Sequence, residues 1–135
     1  MKLRSFAPCL FASLGLALLS GCGGGEDNTP PLFAVRGTVT LDGQPLPTGE
    51  VLFVPVDGHG RPDAGKIADG KYELRCTQGA KTVSITSTKE VPAKQPGGIP
   101  DYISVIPKQY NSATKLTADV KGSGENTVDF KLESK

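Results

Sequence analysis

Phe33, Val35, Gly37, Val39 and Leu41 alternate with Ala34, Arg36, Thr38 and Thr40. A period of two sends alternate side chains to opposite faces, so this spacing predicts a strand with one buried face. The rhythm returns four times. Tyr72, Leu74 and Cys76 alternate with Lys71, Glu73 and Arg75; Val83 and Ile85 lie between Thr82, Ser84 and Thr86. Leu116, Ala118 and Val120 alternate with Lys115, Thr117 and Asp119, and Val128, Phe130 and Leu132 with Thr127, Asp129 and Lys131. Val51 to Val56 is apolar on both faces and predicts a more deeply buried strand, with Pro55 marking an edge or bulge. Lys66 to Ala68 predicts a short strand. Asp42-Gly43 and Asp69-Gly70 are strong hairpin dipeptides, and Gly122-Ser123-Gly124 marks another turn. No mature window keeps a helical period. The chain therefore reads as an all-β sandwich of about seven antiparallel strands, each offering one apolar face to the opposite sheet.

The first residues follow a different pattern. Lys2 and Arg4 precede an apolar run from Phe6 to Leu19, which is the length of a leader's hydrophobic region and short of the ~20 residues a spanning helix needs. It ends in Leu19-Ser20-Gly21-Cys22, a lipobox. Leu19, Ser20 and Gly21 are the residues a lipoprotein signal peptidase would recognise, and Cys22 is the thiol that would carry the lipid. The expected division is a cleaved leader over 1–21, a lipidated cysteine and flexible tether over 22–32, and one domain over 33–135. Gly23 to Pro31 has nothing to bury. About ten such residues reach at most ~35 Å, so the domain is expected close to its membrane.

Charge and cysteine content narrow the partners. Lys2 and Arg4 leave with the leader, taking two from 15 basic residues set against 14 acidic ones. No basic run stands out, so nucleic acid is not expected as a partner. Cys9 leaves with the leader and Cys22 is acylated, so Cys76 stands alone without an internal disulfide. It shares the face of Tyr72 and Leu74, which predicts burial as a small hydrophobe. Gly23 after the lipid cysteine is not aspartate, which leans the sorting toward the outer membrane.

Candidate chemistry is thin. His59, the one histidine, lies between two glycines with no nucleophile beside it. Asp57, Asp63 and Asp69 are weak candidates for a calcium site, because the dense ladder of oxygens such a loop needs is missing and turn chemistry accounts for each. No cofactor and no catalytic residue are expected. Lys89 to Tyr110 breaks the strand rhythm with Pro92, Pro96, Pro100, Pro107 and Gly97-Gly98. Long irregular loops on rigid scaffolds often carry function, so Tyr102 and Tyr110 are candidate partner contacts. The alternative for Tyr110 is a ring packed on the end of the sandwich, bonded to a loop carbonyl.

Val35-Arg36-Gly37-Thr38-Val39-Thr40-Leu41-Asp42-Gly43-Gln44-Pro45-Leu46 resembles the opening of carboxypeptidase regulatory-like (transthyretin-like) domains. Gly49 to Pro55 continues that pattern, Ala68-Asp69-Gly70-Lys71-Tyr72-Glu73-Leu74 is similar to the family's hairpin, and three segments from Ile106 to Leu132 resemble the tail of small bacterial lipoproteins with this domain. Gly79 to Ile85 departs from the pattern by lacking a tyrosine. The resemblance implies an immunoglobulin-like or transthyretin-like sandwich with no catalytic residues of its own. The related hydroxyisourate hydrolase relies on several histidines and a C-terminal Tyr-Arg-Gly-Ser, whereas this chain ends Phe130-Lys131-Leu132-Glu133-Ser134-Lys135.

Together these readings predict a membrane-anchored envelope lipoprotein whose domain, expected to be monomeric, is a binding or structural module for an envelope protein or polysaccharide. The alternative is a small-ligand or calcium carrier working through the Asp57–Asp69 loops.

Overall fold

The computed structural model describes residues 28–135. Eleven strands run in chain order: β1 (Leu32–Leu41), β2 (Gln44–Pro45), β3 (Thr48–Pro55), β4 (Asp63–Ala68), β5 (Lys71–Thr77), β6 (Gly79–Thr86), β7 (Thr88–Val91), β8 (Asp101–Ser104), β9 (Leu116–Val120), β10 (Asn126–Thr127) and β11 (Phe130–Leu132). One curled sheet has the order β10-β1-β5-β4-β3-β6-β9, with β2 and β11 also paired to β1. Its two halves fold over one core, so the fold is an all-β sandwich.

Alternation sets the core. Val35 and Val39 of β1, Tyr72, Leu74 and Cys76 of β5, Val51 and Phe53 of β3, and Val83 and Ile85 of β6 are all buried. At its centre Phe53, Tyr72 and Phe130 stack edge and tilt, with ring centroids 6.1 to 6.4 Å apart. The Tyr72 hydroxyl donates to the Val128 carbonyl at 2.6 Å. Burial pushes that phenol above its ordinary range, with Asp129 pushing the same way, so it stays a donor.

Both hairpin dipeptides form the turns expected of them. Asp42 and Gly43 have φ of 50° and 78°, and Asp69 and Gly70 have 51° and 74°. Positive φ at both central residues matches the right-handed twist of the flanking strands. They join β1 to β2 at Leu41 and Gln44, and β4 to β5 at Ala68 and Lys71.

Four expectations are corrected. The strands are not all antiparallel, because β10 and β11 run parallel to β1. The chain reverses after β9 and crosses to the other side of the core, where it travels in the direction of β1. The C-terminal strand is also split at Val128 and Asp129, opposite Gly37 and Thr38. There the Asp129 carboxylate, in place of a backbone carbonyl, accepts from the Thr38 amide at 2.8 Å. A Cβ on Gly37 would collide with the Val128 carbonyl, so only glycine admits this approach. Third, Val51 to Val56 is not covered on both faces. Val51, Phe53 and Pro55 face the core, Leu52 and Val54 are half-buried outside, and Val56 is 60% exposed. Fourth, Lys89 to Tyr110 is not wholly irregular. It holds β7 and β8, paired only to each other.

The strand directions define two ends. β1 starts beside Thr77 of β5, next to the turn into β6 and to the 56–62 loop. The β7–β8 ribbon leaves from the other end, where β6 finishes opposite Glu50.

Candidate functional site

Leu19, Ser20, Gly21 and Cys22, with the leader and most of the tether, lie outside the described residues. The described chain enters the fold at β1, the end opposite the β7–β8 arm.

The arm is the main apolar feature of the surface among the described residues. Among the described residues four large hydrophobic side chains are exposed, and three are on it: Ile99, Tyr102 and Ile103. Ile99 is 90% exposed at its tip. Pro92 follows β7 and Pro100 precedes β8, so these prolines occupy the connection between the strands rather than prevent them. The Gly98 amide donates to the Gln95 carbonyl at 3.0 Å and turns the tip. At the root, the Val105 amide donates to the Ser87 carbonyl at 3.0 Å, and the buried Ser87 hydroxyl donates to the Thr48 carbonyl at 2.7 Å. Ile106 is buried just beyond. The arm is thus pinned where it leaves the body and exposed along its length.

The two candidate tyrosines separate here. Tyr102 is 60% exposed, and its hydroxyl donates to Glu90 at 3.2 Å across the ribbon. Tyr110 packs against the core, and its hydroxyl accepts the Glu133 amide at 3.1 Å instead of bonding a loop carbonyl.

The three candidate carboxylates do not meet. Asp57 lies in the loop before β4 and accepts the His59 amide at 2.9 Å. Asp69 lies in the turn after β4, at the other end of that strand. Six extended residues separate the two ends by ~20 Å. Among the described residues no three His, Cys, Asp or Glu side chains form a metal-holding group. A calcium site shared by Asp57, Asp63 and Asp69 therefore has no geometry to support it.

Asp63 instead belongs to a buried polar cluster that the sequence reading missed. It points inward at the start of β4, and one of its oxygens has no partner; the other lies 3.5 Å from Arg61 Nε. Lys81 is 1% exposed and donates to Thr77 Oγ1 at 2.7 Å. Both act on Cys76. Burial pushes the Cys76 thiol up, Lys81 pulls it back, and Asp63 pushes it further up. A buried, protonated thiol is a poor nucleophile. Thiol labelling of the native protein at pH 8 is expected to run at least ~100-fold slower than in urea, because reagent must wait for local opening. Labelling at the same rate in both would assign Cys76 a reactive role.

An open groove of about 750 Å³ crosses the outer face of β1, β5 and β4. Its walls include Arg36, Lys66, Lys71, Glu73 and Asp129. Arg36 sits opposite Glu73 in the ladder and lies 3.9 Å from Glu125. The charges are exposed and of both signs, which describes a solvated sheet face rather than a converging set of catalytic groups.

No family model matches the chain, and no curated protein matches it. Among solved structures, a "putative adhesin" from Bacteroides ovatus aligns with a TM-score of 0.48 and 18% identity, over 76% of this chain and 44% of that one. A 9R-lipoxygenase from Cyanothece aligns with a TM-score of 0.38 and 12% identity, over 76% of this chain and 16% of that one. The chain spans less than half the length of either protein, and neither likeness carries an argument about its role.

Proposed function

We propose that this chain is a lipid-anchored module of the bacterial cell envelope that acts by binding and not by catalysis. The carrying observation is the lipobox Leu19-Ser20-Gly21-Cys22, a short tether ahead of a folded body. Two or three acyl chains on Cys22 would hold the body firmly, since two membrane signals already suffice. The tether enters at one end of the sandwich and the exposed arm leaves at the other. In this reading the membrane holds the first end while Ile99, Tyr102 and Ile103 face outward to an envelope partner. The run from Val35 to Leu46 supports reading the body as a carboxypeptidase regulatory-like domain. The absence of catalysis rests on Cys76 being buried and His59 having no orienting side-chain partner among the described residues.

Replacing Lys89–Ile103 with a short Gly-Ser linker tests the binding role. None of these residues packs on the core, so melting temperature is expected to stay within about 3 °C, less than ~1 kcal/mol for a body of this size. Capture of envelope partners from crosslinked native membranes is expected to be lost. Unchanged capture would move the binding surface elsewhere.

A further inference from the structure

We propose that the open edge of β7 accepts an extended, acid-bearing segment of another protein as a third strand of the β7–β8 ribbon. This deepens the reading of the arm as the binding element and rests on it.

Three observations lead here. First, the ribbon is incomplete as a sheet. It has two strands of four residues, seven of the eight exposed, and neither outer edge is paired among the described residues. Two strands are marginal in water, and a third with an apolar face is the usual remedy. Its root is already fixed, so an incoming strand meets a template held in register. Second, the edge offers a pattern. Lys89 and Val91 lie on one face of β7, with Ile103 opposite Lys89 across the ribbon. A strand laid beside β7 would place an acidic side chain against Lys89 and, two residues away, an apolar one against Val91.

Third, the arm's own charges are unevenly engaged. Glu90 accepts the Tyr102 hydroxyl, and Asp101 accepts the Tyr102 amide at 2.9 Å. The ion pairs among the described residues use Arg36 and Arg61, leaving Lys89 and Lys94 without a carboxylate within 4 Å. Both carboxylates of the arm thus have hydrogen-bond donors, whereas the Lys89 and Lys94 ammonium groups are donors with no acceptor among the described residues.

Other occupants and edges fit less well. A two-fold pairing of β7 with its own copy, centred on the strand, sets Lys89 against Lys89 or Glu90 against Glu90, and like charges directly opposite destabilise. The free edge of β9 is tied at its end, where the Asn126 side chain takes the Lys121 amide at 2.8 Å and donates to the Lys121 carbonyl at 3.1 Å.

The test uses the full lipidated protein in detergent micelles and three fluorescent synthetic peptides of about 12 residues. The Glu-Val peptide repeats Glu-Thr-Val-Thr, so that Glu and Val fall two residues apart on one face; the Lys-Val peptide repeats Lys-Thr-Val-Thr; the third is the Glu-Val peptide with two central prolines. Fluorescence anisotropy is expected to show the Glu-Val peptide binding at least about tenfold tighter than the other two. Backbone amide shifts should fall within residues 88–104. Lys89→Glu should invert the preference toward the Lys-Val peptide. Equal affinity for both charge types, undiminished binding of the proline peptide, a preference unmoved by Lys89→Glu, or binding of polygalacturonate in place of peptides would each overturn strand addition. If replacing the arm abolishes native capture while no peptide binds, strand addition is refuted and the arm's wider binding role survives.

Discussion

Replacing Cys22 with alanine is expected to leave a protein that carries no acyl chains and keeps its leader. In the proposed anchoring the thioether to the diacylglyceryl group would form on that sulfur and the lipoprotein peptidase would act on the modified residue, so one substitution would remove both events. Intact mass should then fit the whole chain from Met1, whereas the native protein should fit Cys22–Lys135 plus lipid. An uncut hydrophobic leader can itself hold a protein at a membrane, so a second variant separates the effects. In it, residues 1–22 are replaced by an ordinary cleavable secretory leader ending before Gly23. That protein should leave the membrane pellet for the soluble fraction. A single acyl chain already gives a partition constant of ~10⁴ M⁻¹, and two or more give far more, so the shift should be close to complete. A native protein whose mass shows an unmodified Cys22 would remove the anchor and the proposed location with it.

Phe53→Ala should cost about 3 to 5 kcal/mol. The side chain is fully buried between Tyr72 and Phe130, inside the curl of the sheet. Truncation loses the transfer free energy of the ring and leaves a cavity that rigid strands on both sides cannot close. A domain of this size has ~5 to 15 kcal/mol in total, so much of its stability would go. Urea unfolding should show a lower midpoint with an unchanged slope, the sign of a weaker fold with the same unfolded state. Phe53→Leu keeps most of the volume and should cost under about 2 kcal/mol. A loss below ~1 kcal/mol for the alanine variant would mean that the three-ring cluster is not the centre of the core.

How much was legible depended on how local the determinant was. Asp42-Gly43 and Asp69-Gly70 carry their conformation in two residues, so both turns were readable. Val35, Val39, Leu74 and Ile85 announced their faces through period two. Lys81 obeys the same period, in step with Val83 and Ile85, and Asp63 with Gly65 and Ile67. Their polarity masked the pattern, although strict alternation was the available signal. The ribbon had little signal because four prolines and two glycines lie beside its two four-residue strands and break any longer pattern. The parallel course of β10 and β11 had no local signal, since it depends on where the chain crosses the body. Leu52, Val54 and Val56 mislead by composition: apolar side chains say that burial would be favourable, not that a cover exists. The candidate site was legible as a segment, 89–110, but not as a shape. Tyr110 and Tyr102 look alike in sequence, and only packing assigns one to the body and the other to the arm.

β1 lies between β5 on one flank and β10 with β11 on the other, and Val35 meets Asn126 across 91 positions of chain. The opening strand is therefore among the last to be completed. A polypeptide delivered amino end first would have its thiol available for modification well before the body can close. Tail residues act as the clasp, so a truncation ahead of Asn126 would leave a bare, sticky flank on the very strand that follows the proposed anchor.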